Sequence, residues 1–101
     1  MMNIYMTDDR VLHELEESQP GAWIMLTNPT VEELQTVAMN YGIDIADVRA
    51  ALDDEESSRI DLEDGYTLIL VDIPTAEIRH ESRSYTTIPL GILLTGNNII
   101  T

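Results

Sequence analysis

Apolar and polar positions divide the chain into short runs with two periods. Residues 3–6 alternate, with Ile4 and Met6 on one side, and read as a first strand broken by Asp8 and Asp9. Residues 11–17 carry Val11, Leu12 and Leu15 and read as a strand or irregular hairpin partner; the alternative is a third helix over residues 11–18. Pro20-Gly21 marks a turn. Residues 22–26 (AWIML) form a strand that is apolar on both faces, ended by Thr27-Asn28-Pro29. The period then changes. Thr30 with Glu33 three residues on is a capping box, and Val31, Leu34, Val37, Ala38 and Tyr41 form one helical stripe closed by Gly42. Asp44 caps a second helix; Ile43 and Val48 flank the cap as a hydrophobic staple, and Ile45, Val48, Ala51 and Leu52 form its inner face, with an end near Asp53.

Beyond that helix the pattern returns to period two. Asp53, Asp54, Glu55 and Glu56 set four carboxylates in a row, followed by Arg59. Residues 60–63 read as a strand, Asp64-Gly65 as a type I′ hairpin turn with positive φ at both residues, and residues 66–73 as the most apolar strand, closed by Pro74. Residues 76–84 (AEIRHESRS) are a polar connection. Residues 85–94 are a strand in which Pro89 marks an edge or bulge, and residues 99–101 begin a last strand.

Strands at 22–26, 66–73 and 88–94 are apolar on both faces, as in sheets covered on both sides. The two helices are adjacent in sequence and cover one face. The expected fold is therefore α/β (α+β): a mixed sheet with two adjacent helices on one face, one soluble domain over residues 1–101. The second layer is expected from a downstream segment or another chain, because the sequence stops inside a strand.

Composition narrows the function. The chain has 101 residues, 19 acidic against 5 basic, a formal charge of −14 and no cysteine. Such a surface repels phosphate backbones and anionic membranes and attracts cations and basic partners. Disulfides and thiolate metal sites are excluded. No apolar run reaches a membrane span and no signal peptide is evident, so a soluble, intracellular chain is expected. Nucleophile motifs, phosphate loops and HExxH are absent, which argues against an enzyme. His13 and His80 sit in polar segments as surface residues. Asp61 to Gly65 resembles a calcium loop but fails at its sixth position, Tyr66. Asp72 shares a strand face with Leu68 and Leu70, and a structural role is expected for it.

The ordered set Trp23-Ile24, Asn28-Pro29-Thr30 with Glu32-Glu33-Leu34, Leu52-Asp53-Asp54-Glu55, Arg59, Pro74, Thr87-Ile88-Pro89-Leu90-Gly91-Ile92 and Ile99-Ile100-Thr101 resembles the N-terminal cytoplasmic domain of the CorA-type magnesium transporter family. The resemblance covers nearly the whole chain. It implies an α/β/α sandwich, here truncated at its C-terminus, on the cytoplasmic side of a membrane protein that assembles as a pentamer and meets the membrane only through segments not in this sequence. It also implies magnesium bound between the cytoplasmic domains of neighbouring subunits, with loss of that ion favouring opening. The region concerned is the end of the second helix and the loop after it, so Asp47, Asp53, Asp54, Glu55 and Glu56 are the candidate ligands for weak or intersubunit Mg²⁺, in a transporter of Mg²⁺ (or Co²⁺/Ni²⁺). Ala50 departs from the acidic residue that some members carry two positions before Leu52. The competing expectation is a free-standing acidic interaction module for a basic protein partner.

Overall fold

In the computed structural model, the structure describes residues 1–53, 55–79 and 82–101, without the side chains of residues 77–79 and 82–85. Seven strands form one mixed sheet: β1 (Met2–Asp8), β2 (Val11–Leu15), β3 (Trp23–Leu26), β4 (Arg59–Glu63), β5 (Tyr66–Arg79), β6 (Ser82–Thr95) and β7 (Ile99–Ile100). Their order across the sheet is β2-β1-β3-β7-β6-β5-β4, and β3 with β7 is the parallel pair. Register places Ile4, Ile24, Ile100, Leu93 and Leu68 in one row across five strands. All five are buried.

The helices are α1 (Val31–Tyr41) and the single turn α2 (Ile45–Val48), which runs into a 3-10 turn at Ala50–Leu52. At α1 the capping box is complete: Thr30 Oγ1 accepts from the Glu33 amide at 3.1 Å, and Glu33 Oε1 accepts from the Thr30 amide at 2.9 Å. The same Glu33 oxygen accepts from the Met1 ammonium at 2.9 Å. The Thr30 amide first, then that ammonium, holds the Glu33 carboxyl below its ordinary range. Gly42, at φ 64°, ends α1 in the left-handed conformation that favours glycine. Leu34 and Val37 of α1, and Val48 and Ala50 beyond it, share one core with the buried residues of the sheet. Every buried sheet residue among those described belongs to one face of the pleat, so both helices lie on the same side, as their joint predicts.

Several expectations change. Residues 11–15 pair with β1 as a strand, which removes the third-helix alternative. Their hairpin turns on Asp9 and Arg10, at φ 49° and 64°, without a glycine. Asp64-Gly65 does form a two-residue hairpin loop, but Gly65 alone has positive φ (90°). Asp64 stays on the negative side because a Cβ makes the left-handed region costly and one glycine suffices to close the loop. The second helix is shorter than its apolar spacing suggests, and Ile45 and Leu52 are 39% and 53% exposed rather than buried. Pro74 does not close β5. The strand continues to Arg79 and pairs with β6 throughout, where a polar connection was expected. A proline is tolerated there because its missing N–H falls on an edge without a third strand.

The opposite face of the sheet has no layer among the described residues. It presents Tyr5, Leu12, Trp23, Met25, Ile60, Leu62, Ile69, Val71, Ile73, Ile88, Leu90, Ile92, Leu94 and Ile99, alternating with the buried set. Leu62 is 82% exposed and Ile60 67%. Among the described side chains on this face the one charge is Glu14, whose carboxylate accepts from Asn3 Nδ2 at 2.9 Å. Tyr5 and Trp23 rings lie 5.4 Å apart there, and Trp23 Nε1 donates to Thr101 Oγ1 at 3.0 Å.

Candidate functional site

The acidic segment sits on the helix side, where the 3-10 turn hands the chain to β4. Tyr66, the first residue of β5, organises its approach. The ring is buried in the core, and its hydroxyl donates to Asp47 Oδ2 at 2.5 Å while accepting from the Asp44 amide at 3.3 Å. The hydrogen bond to Asp47, and then burial, push the phenol above its ordinary range, with the Asp44 amide opposing. A four-residue helix is too short to be stable alone, so this contact and the close seat of Ala51 on β6 position it. A Cβ on Gly91 would lie 3.0 Å from the Ala51 Cβ, so glycine is what allows that seat.

The candidate ligands are held separately. Asp47 is turned to Tyr66. Asp53 Oδ1 accepts from the Glu55 amide at 2.9 Å, which folds the loop back on itself. Glu56 pairs with Arg59 Nη1, and Arg59 Nε donates to Asp61 Oδ2 at 2.8 Å. Asp61 and then Glu56 raise the Arg59 guanidinium above its ordinary value. Asp53 and Glu55 are exposed. Asp54 lies outside the described residues, as does His80. A shallow groove is lined by Arg49, Asp53 and Glu56, so a cation there meets an arginine beside the two carboxylates. Among the described residues no three acidic or histidine side chains come together to hold a metal ion. Ala50 is buried, so that position faces the core and not the loop.

Of the remaining candidates, His13 is exposed on β2. Asp72 is exposed too, and its Oδ2 accepts from Ser58 Oγ at 3.4 Å, a contact that ties the end of the acidic loop to β5. The cavity beneath α2, lined by Asp47, Val48, Leu68, Gly91 and Leu93 among others, measures about 60 Å³, well below the size of an organic-ligand pocket. Tyr66 was missed as a functional residue. Its signal was chemical: a buried tyrosine in a Leu/Ile/Val strand face needs a partner for its hydroxyl.

Comparison with known proteins follows the same direction. The family described as CorA-like Mg2+ transporter protein matches residues 18–101. The cobalt/magnesium transport protein CorA of Methanocaldococcus jannaschii is 30% identical over 79 residues, which are 78% of this chain and 23% of that protein. The complete structure of the CorA magnesium transporter from the same organism superposes on the whole chain with a TM-score of 0.74 at 24% identity, over 31% of its own length. The soluble domain of that CorA superposes with a TM-score of 0.77, again at 24% identity, over 39% of its length. The chain thus shares their fold and spans less than half of each. No helix among the described residues is long and apolar enough to cross a membrane.

Proposed function

The chain belongs to the CorA-like Mg2+ transporter family, and on that premise we propose that it is the cytoplasmic regulatory domain of a divalent-cation transporter, with no catalytic activity of its own. Residues 1–101 act as one unit. The acidic loop responds to Mg²⁺ shared with a neighbouring subunit of the same transporter, and the uncovered sheet face receives a second helical layer, completing an α/β/α sandwich. The observation that carries this reading is the division of labour between the two sides of the domain. Carboxylates are dense in the sequence at residues 53–56, with Asp53 and Glu55 exposed, while the open face carries one described charge. Mg²⁺ demands octahedral oxygen coordination and keeps several waters, so it binds through one or two carboxylates from each contributor. With Asp47 tied to Tyr66, Asp53 to the Glu55 amide and Glu56 to Arg59, and with Glu55 exposed, the segment offers that partial shell and not a closed cage.

The test uses a complete transporter carrying this domain. Asp53→Asn with Glu55→Gln is expected to raise the Mg²⁺ concentration needed to shut transport, while MgCl₂ titration of the isolated chain at constant ionic strength gives only weak, non-saturating amide shifts. An unchanged Mg²⁺ dependence of transport in the double variant would contradict the regulatory role.

A further inference from the structure

The long ribbon formed by β5 and β6 poses a physical problem. β4 stops opposite Leu70, and β7 stops opposite Leu93. From Val71↔Leu90 to Arg79↔Ser82 the two strands have only each other among the described residues. Both outer edges therefore present backbone donors and acceptors, a template for pairing with another chain. β6 makes the hazard worse. Residues 84–101 contain no charged side chain, in a protein with 24 charged residues. Such a stretch, rich in Ile, Leu and Thr, has, apart from its proline, the composition of a self-pairing strand. Within it, Ile88 and Leu94 are 45% and 37% exposed.

Register shows where the two prolines fall. Thr95 donates its N–H to the Asn98 carbonyl, away from β5, and Thr95 stands opposite Tyr66. Alternate pairs of an antiparallel ladder share one orientation. Two-residue steps from Tyr66↔Thr95 lead to Asp72↔Pro89 and Pro74↔Thr87, so these pairs also turn their backbone groups outward. Each proline nitrogen thus points at a free edge, Pro74 on the β5 side and Pro89 on the β6 side. Neither costs the ribbon an internal hydrogen bond.

We infer that Pro74 and Pro89 guard the two free edges of the ribbon against pairing with a second copy of this chain. An isologous antiparallel pairing of β6 with a copy would use the outward groups of Thr87, residue 89 and Gly91. Proline at the middle of that set removes the donor and fills the edge with its ring. Pro74 does the same between Asp72 and Ala76 on β5.

The experiment compares the wild-type chain with Pro89→Thr, Pro74→Thr and the control Pro89→Lys, by sedimentation over a range of concentrations and by amide hydrogen exchange. Thr restores a donor and prefers strand geometry; Lys restores the donor but adds a charge that opposes self-pairing. Pro89→Thr is expected to raise the mean mass about twofold or more over wild type, as for a C₂ pair or a growing assembly, with new protection at the Thr87 and Gly91 amides. Pro89→Lys is expected to match wild type. Association through the open sheet face is common to all variants and gives no new protection at these amides. Equal mass and exchange in wild type and Pro89→Thr would overturn the inference. So would loss of the native circular dichroism in Pro89→Thr, since proline would then be required for folding and not for guarding an edge.

Discussion

The two faces of the central sheet are built from alternate residues of the same strands, and their compositions are alike. Leu68 and Leu70 point to one side, Ile69 and Val71 to the other. Yet the helix-side row is buried, whereas Ile60, Leu62, Ile88 and Ile99 on the other side are 45% to 82% exposed. What distinguishes them is the layer above. Two helices in consecutive sequence, joined through Gly42, cover one face and have no reach to the other. An apolar face crossing seven strands, about 29 Å at the usual strand spacing, exceeds the isolated apolar patches normal for a monomer surface. Hydrophobic patterning thus marks a face as apolar independently of whether a covering layer lies in the same stretch of sequence.

The sharpest way to break this contrast is paired truncation. Leu68→Ala removes side-chain atoms from the packed core and is expected to lower unfolding free energy by about 2–5 kcal/mol in urea titration. Ile60→Ser and Leu62→Ser on the open face are expected to stay within about 0.5 kcal/mol. Equal losses on both faces would mean that the open face is packed against something after all.

Next in size is the contact that seats α2. Tyr66→Phe keeps the ring and deletes its hydrogen bond to the Asp47 carboxylate, an interaction with a charged acceptor expected to contribute about 1.5–3 kcal/mol. The phenol is held above its ordinary value in the folded state. Its stabilising contribution is therefore complete below the unfolded phenol range, about pH 10, and declines as pH rises through the folded value. Stability measured against pH should show this alkaline decline in wild type and not in Tyr66→Phe; an identical alkaline profile would remove the contact from the account.

Thr30→Ala is smaller, about 1 kcal/mol for a lost N-cap. Glu33 in the same box has a depressed carboxyl, so its contribution is present above the unfolded range, about pH 4.3, and is lost as pH falls through the folded value. An acid limb that Glu33→Gln leaves unaltered would show the box to be energetically silent. An effect of similar size has the opposite sign. Arg10→Gly relieves a side chain held at φ 64° in the β1–β2 turn and is expected to add about 1 kcal/mol, read as a shift of the urea midpoint.

Local signals carried most of the helix side. Thr30, Glu33, Gly42 and Asp44 each act within one turn of their own position, so α1 and both caps were legible. The ribbon was not. Residues 76–79 and 82–84 belong to a two-stranded ribbon, and a polar stretch without apolar alternation looks like a connection. Pro74 misled for a related reason, since its effect depends on whether its nitrogen faces a third strand, which is a property of register. The Asp9-Arg10 turn gave no glycine signal. In the acidic loop the carboxylates themselves were plain from the sequence, but their separation was not, because it depends on Tyr66 reaching Asp47 from 19 residues away and on Arg59 closing back on Glu56.

Whether the open face seats a further layer is decided by methyl NMR with a soluble paramagnetic probe, on the isolated chain and on a longer polypeptide that carries it within a complete transporter. In the isolated chain, Ile60, Leu62, Ile88 and Ile99 should relax strongly and Ile24, Leu68, Leu93 and Ile100 weakly. In the longer polypeptide the first group should become as protected as the second, which stays unchanged. Persistent strong relaxation of Ile60, Leu62, Ile88 and Ile99 there would contradict the account.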